Sequence, residues 1–419
     1  MNQSFFETLS PYIAVFSLAS LAAFVACMAI RLVLNTKLVS FFVDHPDHRK
    51  VHSKPVPRVG GIAMVLAMLT AIMVWHIFAP RFDASFLMKE FHYSISAAAI
   101  GIGLLIGLLD DSKFIYIGVR YKLSIVIILA IVTVFVFGVR PGEISVFNLF
   151  TIPEPVSKVM AVLWIVGLIN AYNLVDGLDG FAGTLSVLSL LGIAAVSYFL
   201  GCPVTAAVCL LVVGSIAGFM VYNAPPAKVF MGDTGSCFLG YMVAILTLRV
   251  AFLTGDSGKA LAIMPLLVGV PILEITITVL RRYLSAHSMG KGKRRTLRHI
   301  VTADRLHLHH RYLLRGFSHL EACISAGVLT ATIVAGAVCI AIAPSEFSLW
   351  ITAYLMLPIV ISLHKLGVGK QIKQSMNGAE DTEAVKPEAA VKVFRSDLIT
   401  QAIPAIPVLV LLVLLVVRY

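Results

Sequence analysis

The stretch NAYNLVDGLDGFAG, residues 170–183, sits between two apolar runs at 157–175 and 181–200. Two amides and two carboxylates fall where the flanking residues read as lipid-facing helix. Asn170, Asn173, Asp176 and Asp179 recur every three residues. On a helix they would form one slowly drifting polar stripe. Gly177 and Gly180 weaken a helix and let the backbone come close to a ligand. A polar loop would hold the same residues by chance. A divalent cation with a polar ligand explains amides and carboxylates at a membrane surface better.

The rest of the chain sets the frame. Of 419 residues, 59% are hydrophobic and 13% charged, against roughly 25% charged in a soluble domain. A helix needs about 20 apolar residues to cross the hydrocarbon. Such runs fall at 11–34, 60–79, 93–109, 121–138, 157–175, 181–200, 204–222, 236–254, 261–280, 320–343 and 347–366, with a further run at 398–417. The expected fold is all-α: a polytopic transmembrane helix bundle of about eleven spans plus a C-terminal extra helix. Strands are not expected, because the runs lack period-two alternation. Residues 1–366 form the integral membrane domain, 367–397 a polar linker and 398–419 the C-terminal hydrophobic helix. No internal repeat is evident. No cationic region precedes the first run, which reads as a retained span. The six cysteines are scattered without a CxxC pair and read as small core residues.

Lys and Arg set the orientation. With the N-terminus outside, the inner loops collect Lys37, Arg49, Lys50, Lys54 and Arg58, then Lys113, Arg120 and Lys122, then Lys228, then the basic 281–315 loop. Every polar cluster then faces the cytoplasm.

Five clusters bear on chemistry. Asp110 and Asp111 end the third span; adjacent helical residues share a site only near a helix end. Solvated capping acids are the plain alternative. The second cluster is the opening stretch. In YNAPPAKVFMGDTGSCFLG, Pro225 and Pro226 rule out a continuous helix, and Asp233 precedes the next span. Thr234 or Ser236 would cap that span, leaving its amides to attract phosphate. No Lys follows the glycines, so this is no Walker loop. In DRLHLHHR, zinc is one reading of His307, His309 and His310; phosphate donation suits the cationic surroundings better, with no Cys to complete a zinc set. The run 291–295 reads as positive-inside charge on anionic lipid rather than a nucleic-acid patch. The loop DHPDHRKVHSKPVPRVGG offers Lys50 and neighbouring cations to an anion, though a plain inner loop would look the same. Carboxylates beside phosphate-binding cations imply Mg²⁺, with Mn²⁺ as substitute. They point to phosphoryl transfer at the membrane surface. A transporter would instead place ionisable groups near the bilayer midplane.

The same motifs, DD at 110–111, NAYNLVDGLDG, NAPPAKVFMGDTGS and HLHHR, resemble the polyprenyl-phosphate N-acetylhexosamine-1-phosphate transferase family over residues 44–315. HLHH resembles its WecA/TagO branch; the related MraY branch, a phospho-MurNAc-pentapeptide transferase, carries three consecutive histidines. The resemblance implies transfer of a sugar-1-phosphate from a UDP-sugar to undecaprenyl phosphate in the bacterial inner membrane. UMP is released, and the product starts a cell-envelope polysaccharide such as O-antigen lipopolysaccharide. It implies a bundle of ten or eleven helices, often a homodimer. It makes Asp233 a metal ligand with Asp110 and Asp111 as the acidic pair beside it, all three catalytic. Asn173, Asp176 and Asp179 would bind the nucleotide. His307, His309, His310 and Arg311 would hold phosphates, with Lys122 and Lys50 as further contacts.

Overall fold

The computed structural model describes residues 3–46, 54–78, 111, 118–141, 144–146, 150–255, 257–288, 307–369, 372, 398, 401–402 and 405–416. Lys50, Asp110, the 93–109 run and most of the 367–397 linker lie outside the described residues.

The long apolar runs fold as helices because hydrocarbon leaves backbone groups no partner except one another. In chain order these are α1 (Gln3–Leu34), α2 (Gly60–Phe78), α3 (Val119–Phe135), α4 (Glu154–Val175), α5 (Phe181–Phe199), α6 (Pro203–Asn223) and α7 (Gly232–Thr254). Then come α8 (Ser257–Val268), α9 (Val270–Ser288), the short α10 (Leu308–Leu314), α11 (His319–Ile342) and α12 (Ser345–Lys365). A last apolar helix, α13, covers Ala405–Val416. Seven helices among the described residues are long and apolar enough to cross a membrane, or eight if α8 and α9 are one bent span. The helices α2, α3 and α13 are apolar but shorter. The protein is thus an all-α, multi-pass membrane protein.

Two expectations change. Strands do occur: β1 (Val43–Asp44) pairs antiparallel with β2 (Val56–Pro57), and β3 (Ile144–Val146) with β4 (Phe150–Ile152). Both hairpins lie in loops, where water or protein can serve their edges. The 261–280 run is not one straight span; α8 and α9 meet at a 90° bend. Gly269, at φ 65°, ends α8 in the left-handed region, and Pro271 suits the first turn of the next helix. Gln401 is fully buried, bonding Ser325 Oγ (3.3 Å) and Ser362 Oγ (3.2 Å), so the segment before α13 is fastened to α11 and α12. Val408 O accepts from Cys339 Sγ at 3.5 Å, which seats α13 along α11.

The helix α7 is the central column. It packs against α2, α4, α5 and α8, and hydrogen bonds tie it to two neighbours: Trp164 Nε1 donates to Thr247 Oγ1 (2.9 Å), and the Thr133 and Tyr241 hydroxyls pair at 2.9 Å. On the flank, α6 closes on α1 through Gly214 and Gly218. A Cβ on either would overlap the carbonyl of Ala19 or Ala23. Spacing of four puts both glycines on one helix face, which lets two backbones touch and gain packing contacts where hydrocarbon offers no hydrophobic drive to associate.

Overpacking such a contact costs about 1–3 kcal/mol. The variant Gly218→Leu is expected to unfold at a clearly lower temperature than the parent in detergent. Gly167→Ala, where nothing lies within 4 Å, should match the parent or exceed it slightly. Equal midpoints for Gly218→Leu and the parent would show that the close approach is not needed.

Candidate active site

The helix α7 begins without a capping side chain of its own; Met231 at the N-cap is helical. Unpaired N–H groups at a helix start need acceptors. Asp111 supplies them from a distant part of the chain. Its Oδ1 accepts the Asp233 N–H (3.0 Å), and its Oδ2 accepts the Thr234 N–H (2.9 Å) and the Thr234 hydroxyl (2.6 Å). The Asp111 side chain is completely buried, with Arg58 Nη1 3.9 Å away. Gly232 makes room: it lies at φ 72°, and a Cβ there would meet the Asp111 carboxylate at 2.6–2.8 Å. Neither Thr234 nor Ser236 is therefore the N-cap, and the amides of Asp233 and Thr234 are not open to a phosphate. Burial and the nearby Asp233 push the Asp111 carboxyl up to about 6, against the pull of its three hydrogen bonds.

Asp233 is thereby held in the first turn of α7 with its side chain toward a cavity of about 270 Å³. Asn173 Nδ2 donates to its Oδ1 (2.9 Å) and to Ser236 Oγ (3.1 Å), and Lys122 Nζ pairs with its Oδ2. The 170–179 stripe is not one helical face, because α4 stops at Val175. Asn170 turns back to Val166 O (2.7 Å) on its own helix and is not part of the cavity wall. Asp176 follows the helix end and lines the cavity. Burial first, and Asp233 second, push its carboxyl up to about 7. Asp179 also lines the cavity, but its Oδ2 accepts the Ala227 N–H (3.0 Å) and lies 3.2 Å from His319 Nδ1. It joins its own loop to the 224–231 loop and to the start of α11.

His309 and His310 also line the cavity; His307 and Arg311 do not. His307 pairs with Glu274, and Arg311 Nη2 donates to Gly367 O at 3.2 Å. His309 is buried with Nδ1 lacking a partner among the described residues. Burial, then His310, keeps it well below the usual imidazole range, so it is neutral. Gly177 makes its presence possible: a Cβ on Gly177 would overlap the His309 ring. The glycine does admit a close approach, but of an imidazole.

Other wall or support residues, His319 among them, were not singled out from sequence. Asp44 and Arg58 line the cavity and pair at 3.0 Å. Asn223 accepts the Gly180 N–H (3.0 Å) and donates to Val229 O (2.8 Å), stitching two loops together. Its place in YNAPPAK, one residue before the chain must leave α6, was the available signal.

The raised Asp176 carboxyl predicts a pH effect. A folded-state value near 7, above the ordinary 3.8, means the folded protein holds the proton more tightly. That contribution to stability is full below about pH 4 and is lost as pH rises through about 7. In metal-free protein, Asp176→Asn should therefore gain thermal stability over the parent progressively from about pH 4 to about pH 7. Saturating Mg²⁺ should shrink the gain. A stability difference flat across this range would contradict the assigned charge state.

Comparison with known proteins places the chain. Residues 92–251 match the family model described as glycosyl transferase family 4. A protein of Bacillus subtilis named probable undecaprenyl-phosphate N-acetylglucosaminyl 1-phosphate transferase is 30% identical over 283 residues, 66% of this chain and 71% of the relative. A Mycolicibacterium smegmatis protein named decaprenyl-phosphate N-acetylglucosaminephosphotransferase is 28% identical over 368 residues, 81% and 84% of the two chains. A Chlorobium phaeobacteroides protein named phospho-N-acetylmuramoyl-pentapeptide-transferase is 26% identical over 312 residues, 67% and 77%. With acids, amides and imidazoles gathered at one end of an apolar bundle, and with relatives of this similarity, the chain belongs to glycosyl transferase family 4.

Proposed function

We propose that the protein moves an N-acetylhexosamine-1-phosphate, GlcNAc-1-phosphate first among candidates, from a UDP-sugar to undecaprenyl phosphate. UMP is the second product, and the lipid-linked sugar is the first intermediate of a cell-envelope polysaccharide. The membrane is the bacterial inner membrane, with the cavity on its cytoplasmic side. One observation carries this reading: Asp176 and Asp233 face the same cavity as His309 and His310, at the end of a bundle of apolar helices. A soluble diphosphate can enter from the polar end, and a prenyl phosphate can arrive along the helices. The names of the Bacillus and Mycolicibacterium relatives support the pairing of sugar and prenyl phosphate.

The donor set suits Mg²⁺ or Mn²⁺. No group of three or more His, Cys, Asp or Glu side chains is arranged to hold a metal among the described residues. Mg²⁺ needs only one or two carboxylates when substrate phosphates and water fill its other positions. Asp233 and Asp176 would hold it; burial first and Asp233 second push the Asp176 carboxyl up, and a bound cation would oppose both. When bound, the ion would stabilise charge on the diphosphate.

The chain's own groups have separate tasks. Asn173 fixes the Asp233 carboxylate. Lys122, paired with that carboxylate and not itself part of the cavity lining, would hold Asp233 or turn to a phosphate oxygen bound beside it. Neutral His309 offers an N–H to the diphosphate, beside His310. An oxygen nucleophile, the lipid phosphate in the direct route, attacks the phosphorus that bears the sugar; the bond to the uridine-bearing phosphate breaks, and UMP leaves. Asp110, next in the chain to the anchored Asp111, stays the candidate for receiving a proton from the acceptor or joining the metal. Asp111 itself has both oxygens engaged by α7, so we assign it support of Asp233.

The test is UMP release by purified protein with undecaprenyl phosphate, Mg²⁺ and a panel of UDP-sugars. The Chlorobium relative's name makes UDP-MurNAc-pentapeptide the competing donor, and the panel separates the two. Asp233→Asn is expected to lower turnover by about a hundredfold or more while insertion and folding persist. Excess EDTA should stop the parent enzyme. Full turnover in either case would remove the metal reading. His309→Ala should lower kcat/KM for the UDP-sugar at least about tenfold, since a hydrogen bond to a charged group is worth about 1.5–3 kcal/mol. A defect confined to the lipid substrate would place the histidines elsewhere in the reaction.

A further inference from the structure

Glu274 lies on α9, just past the 90° bend at Gly269, and is 1% exposed. A carboxylate buried in a helix bundle is costly unless its oxygens are fully engaged. Here they are. Oε1 lies 2.7 Å from His307 Nδ1 and accepts the Thr278 hydroxyl at 3.0 Å; Oε2 accepts the Leu308 N–H at 2.7 Å. Leu308 opens α10, and its N-cap residue, His307, makes no side-chain cap of its own. Glu274 thus supplies, from another helix, the acceptor that a capping side chain would supply.

The helix α10 has seven residues, too few to hold their conformation without tertiary support. Its first turn is pinned by Glu274, and Arg311 on the same helix is tied to Gly367 O. Between these two points sit His309 and His310, whose rings are 4.2 Å apart and line the cavity. The bend at Gly269 is what turns α9 so that Glu274 meets the start of α10.

We propose that Glu274 is a positioning residue. Through His307 and the Leu308 amide it fixes the angle of α10, and so the place of His309 and His310 in the donor site. The carboxylate requires the His307 proton on Nδ1. Glu274 acts through these groups and does not line the cavity. This inference rests on the reading of the histidines as contacts for the sugar nucleotide.

The experiment uses the full chain in detergent, with Glu274→Gln, Glu274→Ala, His309→Ala and the double variant Glu274→Ala/His309→Ala. Removing such a supporting partner typically costs about 10–100-fold. Glu274→Ala is expected to raise KM for the UDP-sugar at least about tenfold, with a smaller loss in kcat. Glu274→Gln keeps an acceptor for Leu308 and should fall between Ala and the parent. The double variant should be within about twofold of His309→Ala, because the two changes remove one interaction. Losses that multiply, or a fall in kcat at unchanged KM, would overturn the proposal. If Glu274→Ala does not fold, the same comparison is made with Glu274→Gln, where a parental KM overturns it. Amide exchange over residues 307–314 separates this from the functional reading. If the parent turns over no UDP-sugar, the functional reading fails, yet faster exchange in Glu274→Gln still supports the clamp, and unchanged exchange refutes it.

Discussion

The carboxylate of Asp111 against the first turn of α7 is the contact on which the site depends. A fully buried carboxylate has to be engaged by donors, and an uncapped helix start has N–H groups that need acceptors. Each satisfies the other through three hydrogen bonds within 3.0 Å. Removing Asp111 would leave two amides and a hydroxyl without their acceptor, at about 1–3 kcal/mol for each that stays buried. Because α7 is also the central column of the bundle, the same contact registers the core of the fold against its polar end. Asp233 is the residue carried into place.

Around that anchor the site is built of pairs that cross between elements. Asn173 reaches from the end of α4 to Asp233. Asp179 joins the loop after α4 to the 224–231 loop and to α11. Asn223 ties that same loop to the start of α5. The helix α10, too short to stand alone, is held between Glu274 and Gly367. Polar contacts of this kind concentrate at one end of the bundle, while the middle is closed by small residues such as Gly214 and Gly218. The arrangement separates two requirements. Apolar packing sets the helices, and a layer of capped helix ends sets the chemical groups. Lipid and nucleotide can then meet at the boundary between them.

Much of this could be read from the residues. Apolar runs of about 20 residues located the helices, and the clustering of Asp, Asn and His between them located the cavity; Asn173, Asp176, Asp179, Asp233, His309 and His310 all line it. What escaped reading was long-range. Nothing in GLLDD says that Asp111 caps a helix more than a hundred residues away. A lone Glu274 in an apolar run has no spacing that names its partner. The break in α8–α9 was written in VGVPI, but continuous hydropathy hid it, since Gly and Pro interrupt a helix without making it polar. Gln401, the residue that fastens the tail, sits in a stretch with no spacing that names its partners Ser325 and Ser362. His307 and Arg311 share a motif with His309 and His310, and the turn of a short helix divides them between support and cavity.

The central claim is that the capped end of α7 and the clamped α10 form the two walls of one donor site. The most direct measurement is an experimental density map of the protein in lipid nanodiscs, trapped with Mg²⁺ and an unreactive UDP-N-acetylhexosamine analogue. The account requires the diphosphate between the Asp176–Asp233 wall and the His309–His310 wall, with Asp111 still bonded to the start of α7. Nucleotide density outside this cavity, or Asp111 released from α7 to bind the ligand, would contradict it.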